Sequence, residues 1–276
     1  MVFRTSEQND LPALKQLWKL AFEDEDEYIE HFFARYYAPQ RMLVLEEEGQ
    51  VRAMTARFDV PLVCADGTSV PSAYLYAVAT HPDCRGRGLA GRLLDFAGKW
   101  LGERGYACLT TVPARPDLHA FFARNGFEEG FALFREEYAH PGEGERAVLT
   151  PVSGETYGAL REKQLAGRAH AAYSAAALDY QHGACALSGG GLYRVGADGC
   201  ACVDVSGDTV FVKELLVTDV SAALRAIATC HPGKRYQVRT PWDGKGERWD
   251  FAMIRPLRPM PEWDNTQPGY FGLAFD

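Results

Sequence analysis

Apolar positions along this chain switch between two spacings, and the switches predict its elements. Residues 2–5 suit a short strand, and Leu11, Leu14, Leu17, Trp18, Ala21 and Phe22 then recur at helical spacing. Asn9 or Asp10 can cap that helix, and Pro12 suits its first turn. Tyr28, Ile29, Phe32, Phe33, Tyr36 and Tyr37 predict a second helix. Strands are expected over 41–46, 50–63 and 68–80, with Asp66-Gly67 as the hairpin turn between the last two. Helical spacing returns at Leu89, Leu93, Phe96, Ala97, Trp100 and Leu101, and Gly105 is placed to stop that helix. A buried strand over 107–112 follows, then a short helix with Asp117 as its N-cap, ending in Phe121-Phe122-Ala123-Arg124-Asn125-Gly126-Phe127.

The polar run His140-Pro141-Gly142-Glu143-Gly144-Glu145 breaks the pattern and sets a domain boundary, dividing the chain into 1–140 and 141–276. Beyond it, 151–186 reads mainly as helix, followed by strands over 191–195, 200–205 and 209–218. Asp219 can cap a helix holding Val220, Ala223, Leu224 and Ile227, and 236–240 resumes a strand. The end of the chain, from Gly269 to Asp276, reads as an apolar and therefore buried final strand.

The richest stretch lies between the strand ending at Thr80 and the helix starting near Leu89. It carries Arg85-Gly86-Arg87-Gly88-Leu89-Ala90. A turn of this kind leaves backbone N–H groups unpaired at a helix N-terminus, where the dipole also favours an anion such as a pyrophosphate. Gly88 lets a ligand approach the backbone closely, and Ala90 keeps the next contact small. A dinucleotide site of the Rossmann kind does not fit. The loop follows a late strand, and no acidic residue ends a second strand about 20 residues on.

Four segments in order carry a resemblance: Val78-Ala79-Thr80-His81-Pro82, the 85–90 loop, the amphipathic helix after it, and the Phe121–Phe127 run. Together they make residues 1 to about 138 resemble the GNAT superfamily of acyl-CoA-dependent N-acyltransferases. The resemblance implies an α/β fold (an α+β mixed sheet), with acetyl-CoA as co-substrate and an amine attacking the thioester directly in a ternary complex. The acceptor would be a small-molecule amine or a lysine side chain. The order of elements in the second half echoes the first, but Leu216-Val217-Thr218-Asp219-Val220-Ser221 has no glycine where the phosphate loop should be. A tandem of two GNAT-like domains with a degenerate second half resembles the Eis-like acetyltransferases. The chain is too short to hold the further carrier-like domain of those proteins as well, and the alternative is that 141–276 is itself that carrier-like module.

The resemblance assigns roles to positions. Backbone groups of Gly86, Arg87, Gly88, Leu89 and Ala90 would hold the pyrophosphate, with Arg85 and Arg87 adding charge. Val78, Ala79 and Thr80 would pair with the pantetheine as an added strand, and an N–H near Val78 or Ala79 would meet the developing oxyanion. Where many family members carry a proton-donating tyrosine, this chain has Phe122, which cannot donate. Tyr76, on the same strand face as Val78 by simple alternation, is the nearest replacement; the alternative reading is a core aromatic. The Eis-like resemblance makes the carboxylates of Asp276 the candidate base, with His81 and His119 as lesser candidates. The acidic turn from Glu23 to Glu27 reads as a solvated loop, or, by the resemblance, as a lure for an amine beside the acceptor cleft.

Composition narrows the partners. The 276 residues carry a net charge of −8, which opposes nucleic-acid binding and suits a cationic substrate weakly. Apolar residues make up 47% of the chain, enough for a sizeable core. No apolar run reaches the length of a membrane span, and seven scattered cysteines read as reduced thiols of a cytoplasmic protein without a metal site. Homo-oligomer formation is compatible with the sequence and is not specified by it. A non-catalytic acyl-CoA-binding protein is the competing reading, favoured by Phe122. A third makes the second half a peptide-binding module lined by Trp242, Trp249 and Trp263.

Overall fold

The computed structural model describes residues 1–264 and 266–275. In chain order the first elements are β1 (Val2–Thr5), α1 (Leu11–Phe22), α2 (Asp26–Arg35), β2 (Met42–Glu47), β3 (Gln50–Asp59), β4 (Leu62–Val63), β5 (Ser69–Val70) and β6 (Ser72–Thr80). Next come α3 (Leu89–Gly102), β7 (Cys108–Thr111), α4 (Pro116–Arg124), β8 (Glu128–Tyr138), β9 (Leu149–Pro151), α5 (Gly154–Gln164), β10 (His170–Ala171) and α6 (Ala175–Leu187). The chain continues through β11 (Gly191–Val195), β12 (Gly199–Ser206), β13 (Thr209–Leu216), α7 (Val220–Cys230), β14 (Arg235–Pro241) and β15 (Trp249–Pro256).

Two compact units share these elements. Met1–Pro61, Val70–Glu129 and Ala252–Glu262 form the first, and Leu62–Ser69, Gly130–Phe251 and the residues from Trp263 on form the second. In the first unit the strands run in the order β1-β2-β3-β6-β7-β15. All neighbours are antiparallel except β6 and β7, which are parallel and joined through α3. Helix α3 is held by its apolar stripe: Leu89, Leu93, Leu94, Ala97 and Leu101 are buried against Leu43, Leu45, Leu75 and Leu109. Each such leucine contributes roughly 1.5–3 kcal/mol on burial.

The second unit repeats that plan. Its strands run β8-β14-β13-β12-β11-β9, and its own parallel strand pair, β13 and β14, is joined through α7. Ala223, Leu224 and Ile227 of α7 pack on Val210, Val212 and Val238.

Four local expectations are corrected. Prolines break the two long strands. β3 stops before Pro61, Leu62–Val63 pairs separately with β10, and Pro71 separates β5 from β6, because a proline lacks the N–H a ladder needs. Arg115, not Asp117, occupies the N-cap of α4; Pro116 takes the first helical position, and Asp117 accepts from Arg115 at 3.1 Å. α3 ends at Gly102, and Gly105, with φ +87°, closes the turn after it. Residues 269–275 are not a strand. Gly269 and Tyr270 make isolated bridges only, and Gly272 turns the backbone at φ +77°. The tail is nevertheless buried, with Tyr270, Phe271, Leu273 and Phe275 inaccessible. Asp276 lies outside the described residues.

Candidate functional site

The site grows from an irregularity in β6. β3 and β6 are in register from Asp59↔Ala73 to Ala56↔Tyr76, and again at Met54↔Ala79 and Ala53↔Thr80. Between them β6 bulges at Ala77, whose φ is +51°. The buried Thr55 hydroxyl donates to the Tyr76 carbonyl at 3.1 Å and fastens the strands there. The bulge reverses the alternation expected beyond it. Tyr74 and Tyr76 share one face with Phe58, whereas Val78 joins Ala73 and Leu75 on the α3 face. Tyr76 and Val78 are therefore on opposite faces, which corrects the placement read from strict alternation.

An alanine held at positive φ stores strain of about 1–2 kcal/mol. Ala77→Gly should be neutral or stabilising by up to about 1 kcal/mol, and Ala77→Val should destabilise by at least that much. Thermal unfolding of the two variants would check this.

β6 also parts from its other neighbour. The parallel register with β7 covers Ser72↔Cys108 to Tyr74↔Thr110, while β6 continues to Thr80. The Thr111 hydroxyl donates to the Leu75 carbonyl at 3.1 Å and marks where the strands split. Beyond that point the edge of β6 over Val78, Ala79 and Thr80 is without a β7 partner and can take an extended ligand as an added strand. The Thr80 hydroxyl is buried there with no hydrogen-bond partner among the described residues, which fits a site made for a polar ligand atom.

At the open end of that edge lies the glycine loop. His81 caps a short 3-10 turn over Pro82–Cys84, its Nδ1 accepting from the Asp83 N–H. Gly86 and Gly88 then take φ of +75° and +71°, and Gly88 is the N-cap of α3. Among the described residues, no backbone carbonyl outside the helix accepts from the N–H groups of 86–90. A Cβ added at Gly86 or Gly88 would meet nothing within 4 Å, so the space in front of these amides is open. The two arginines differ. Arg85 is exposed, with Nε 3.4 Å from the Thr80 carbonyl. Arg87 forms a bidentate pair with Glu47 at 2.8 and 2.9 Å, and its guanidinium holds the Glu47 carboxyl below the usual range.

Proton-transfer candidates divide sharply. Phe122 is buried between Phe121 and Phe127 and is packing only. Tyr76 is half-buried among Trp18, Phe32 and Phe58, and its hydroxyl lies 2.8 Å from that of Tyr28 on α2. Sequence reading placed Tyr28 only in a helix stripe and missed this pairing. His119 Nδ1 lies 2.7 Å from the Glu129 carboxylate, and His81 caps the turn before the glycine loop. In the acidic turn, Asp24 accepts from the Trp18 indole at 2.7 Å and Asp26 pairs with Lys19 at 2.9 Å, while Glu23, Glu25 and Glu27 are exposed. No group of three or more His, Cys, Asp or Glu able to hold a metal occurs among the described residues, and no helix there is long and apolar enough to cross a membrane.

Comparison with known proteins bears on residues 2–130, which match the family model of the acetyltransferase (GNAT) domain. No curated protein matches the chain. Solved structures similar in fold include a GCN5-related N-acetyltransferase from Anabaena variabilis, at 16% identity and TM-score 0.73, over 93% of this chain and 73% of that one. Eis1 from Mycobacterium abscessus is similar at 14% identity and TM-score 0.66, over 93% and 74%. A tandem GNAT protein of the clavulanic acid biosynthesis pathway is similar at 12% identity and TM-score 0.55, over 94% and 99%.

Proposed function

We propose, from the premise that residues 2–130 are an acetyltransferase domain of the GNAT family, that this enzyme transfers acetyl from acetyl-CoA to a primary amine. One observation carries the reading: the free edge of β6 runs directly into unpaired amides at the N-terminus of α3. That arrangement suits a ligand with an amide-bearing chain at one end and a pyrophosphate at the other. The amides of 86–90 would hold the phosphates, helped by Arg85. Arg87, engaged with Glu47, would act through that pair or exchange it for phosphate. Val78, Ala79 and Thr80 would align the chain, and an N–H beside the Ala77 bulge would stabilise the developing oxyanion.

The amine attacks directly. An ammonium has a pKa near 10 and must lose a proton first, whereas a thiol near 8.5 leaves readily as thiolate. With Phe122 unable to donate, the Tyr76–Tyr28 hydroxyl pair is the proposed proton route. Tyr76→Phe should lower kcat by roughly 10- to 100-fold and leave the KM for acetyl-CoA unchanged. Steady-state release of coenzyme A thiol would measure both.

The second portion, 141–276, is proposed as a GNAT-like repeat that lost the phosphate loop. The order β12-β13-α7-β14 repeats β3-β6-α3-β7, but Asp219 caps α7 through the Ala222 N–H at 2.9 Å where Gly88 caps α3. A carboxylate in that position repels phosphate.

Phe122 favours a second reading, a protein that binds acyl-CoA without turnover. Titration calorimetry with acetyl-CoA, followed by thiol release across a panel of amines, separates the two. Saturable binding with turnover supports the enzyme. Binding without turnover on any amine supports the sensor, and absence of binding at millimolar acetyl-CoA rejects both.

A further inference from the structure

The strand split of the first unit recurs in the second, and there it opens into a solvent-accessible cavity of about 520 Å³. β13 and β14 are in parallel register from Thr209↔Arg235 to Val212↔Val238, after which β13 continues to Leu216 and β14 to Pro241 without pairing to each other. The cavity lies where they part. Its apolar wall is Phe134, Leu165, Leu216, Val217 and Val220. β13 keeps β12 on its far side, with Leu215↔Ala201 and Leu216↔Cys200 in register. In an antiparallel pair successive residues turn their N–H and C=O alternately toward and away from the partner. The outward-facing groups among 214–216, beyond the register shift at Lys213, therefore face the split with no β14 strand to receive them.

The charge of the lining differs from that of the glycine loop. Arg168 and Lys245 supply two positive charges, Glu136 and Asp243 two negative ones. The balance is zero, and the helix N-terminus beside Val220 is closed by Asp219. A polyanion such as a nucleotide pyrophosphate finds no seat here.

We infer that this cavity binds a short zwitterionic peptide of two or three residues, laid along the open edge of β13. Its backbone amides pair with β13, an apolar side chain rests on Leu216 and Val217, its carboxylate meets Arg168 and Lys245, and its ammonium meets Glu136 and Asp243. The volume is in the range of small-molecule pockets. The three tryptophans suggested by sequence do not line it. Trp263 packs on Phe131, Trp249 on Phe251, and Trp242 stands near Arg248.

The test is calorimetric titration of the full chain with alanyl-leucyl-alanine and with its N-acetylated, C-amidated form. The zwitterion should bind with Kd of about 0.1–1 mM, and the blocked form at least about 5-fold more weakly. Thr240→Trp, which fills the split, should abolish peptide binding while leaving acetyl-CoA affinity unchanged. Lys245→Glu, at an exposed position that does not threaten folding, should weaken the zwitterion by about 3- to 10-fold. The inference is overturned if folded wild-type protein binds neither peptide at about 10 mM. It is equally overturned if Lys245→Glu and Thr240→Trp both bind as wild type, or if acetyl-CoA competes with the peptide.

Discussion

Gly88→Arg should raise the Kd for acetyl-CoA by at least about 100-fold while the protein stays folded. Gly88 sits at φ +71° as the N-cap of α3, with open space where its Cβ would be. The substitution costs about 1–2 kcal/mol in backbone strain, within the stability of an ordinary domain. No neighbour is displaced, so the cost stops there. The long side chain, however, would run through the space in front of the 86–90 amides, where the pyrophosphate is proposed to lie. Gly88→Ala carries the same strain without the bulk and should weaken binding far less. Calorimetry on both variants, with circular dichroism to confirm the fold, measures the difference. Tight binding by folded Gly88→Arg would remove the loop from the site.

Glu214→Gln should destabilise the second unit by about 3–5 kcal/mol, the largest stability effect expected of any single substitution here. Glu214 and Arg161 are both inaccessible, with Arg161 Nε 3.1 Å from either carboxylate oxygen. The Tyr157 hydroxyl donates to Glu214 at 2.8 Å; burial first, and then the charge of Glu214, push that hydroxyl well above the ordinary tyrosine range, so it stays a donor. Arg161 also donates to the Ala171 carbonyl at 2.6 Å and to the Phe271 carbonyl at 3.2 Å. Losing that charge leaves the buried guanidinium with only the half-exposed Glu162 carboxylate, 3.4 Å away, as counter-ion. A Cβ at Gly272 would collide with the Glu214 carboxylate, so the tail has no slack to compensate. The tail should loosen as well: Tyr173 donates to the carbonyls of Phe271 and Leu273 at 2.7 Å, and these contacts depend on Phe271 staying in place. Urea unfolding reads the stability and amide exchange over 269–275 reads the loosening. The double variant Arg161→Met, Glu214→Leu should recover most of the loss, because two apolar side chains leave no buried charge. A Glu214→Gln protein as stable as wild type would show that the pair contributes nothing.

Local sequence determined most of the elements and the core of the candidate site. Helix α3 was legible because its apolar residues recur every three to four positions, and the 85–90 loop because glycines stand where the chain must take positive φ. The Asp219 cap was legible for the same kind of local reason, since its side chain reaches an N–H three residues on.

Tertiary structure decided what depends on partners distant in sequence. The bulge at Ala77 arises from the pairing of β6 with β3 and carries no glycine to announce it, so the face of Val78 was misread. The meeting of Tyr76 with Tyr28 joins residues 48 apart. The buried Arg161–Glu214 pair joins residues 53 apart, and polar side chains of that kind carry no local signal of burial. Sequence alone therefore specified the loop and the helix that would receive a phosphate, because short-range backbone geometry builds them. Only the folded chain specified the strand splits on either side of which ligands can lie, because a split exists only between two strands that the tertiary fold has first brought together.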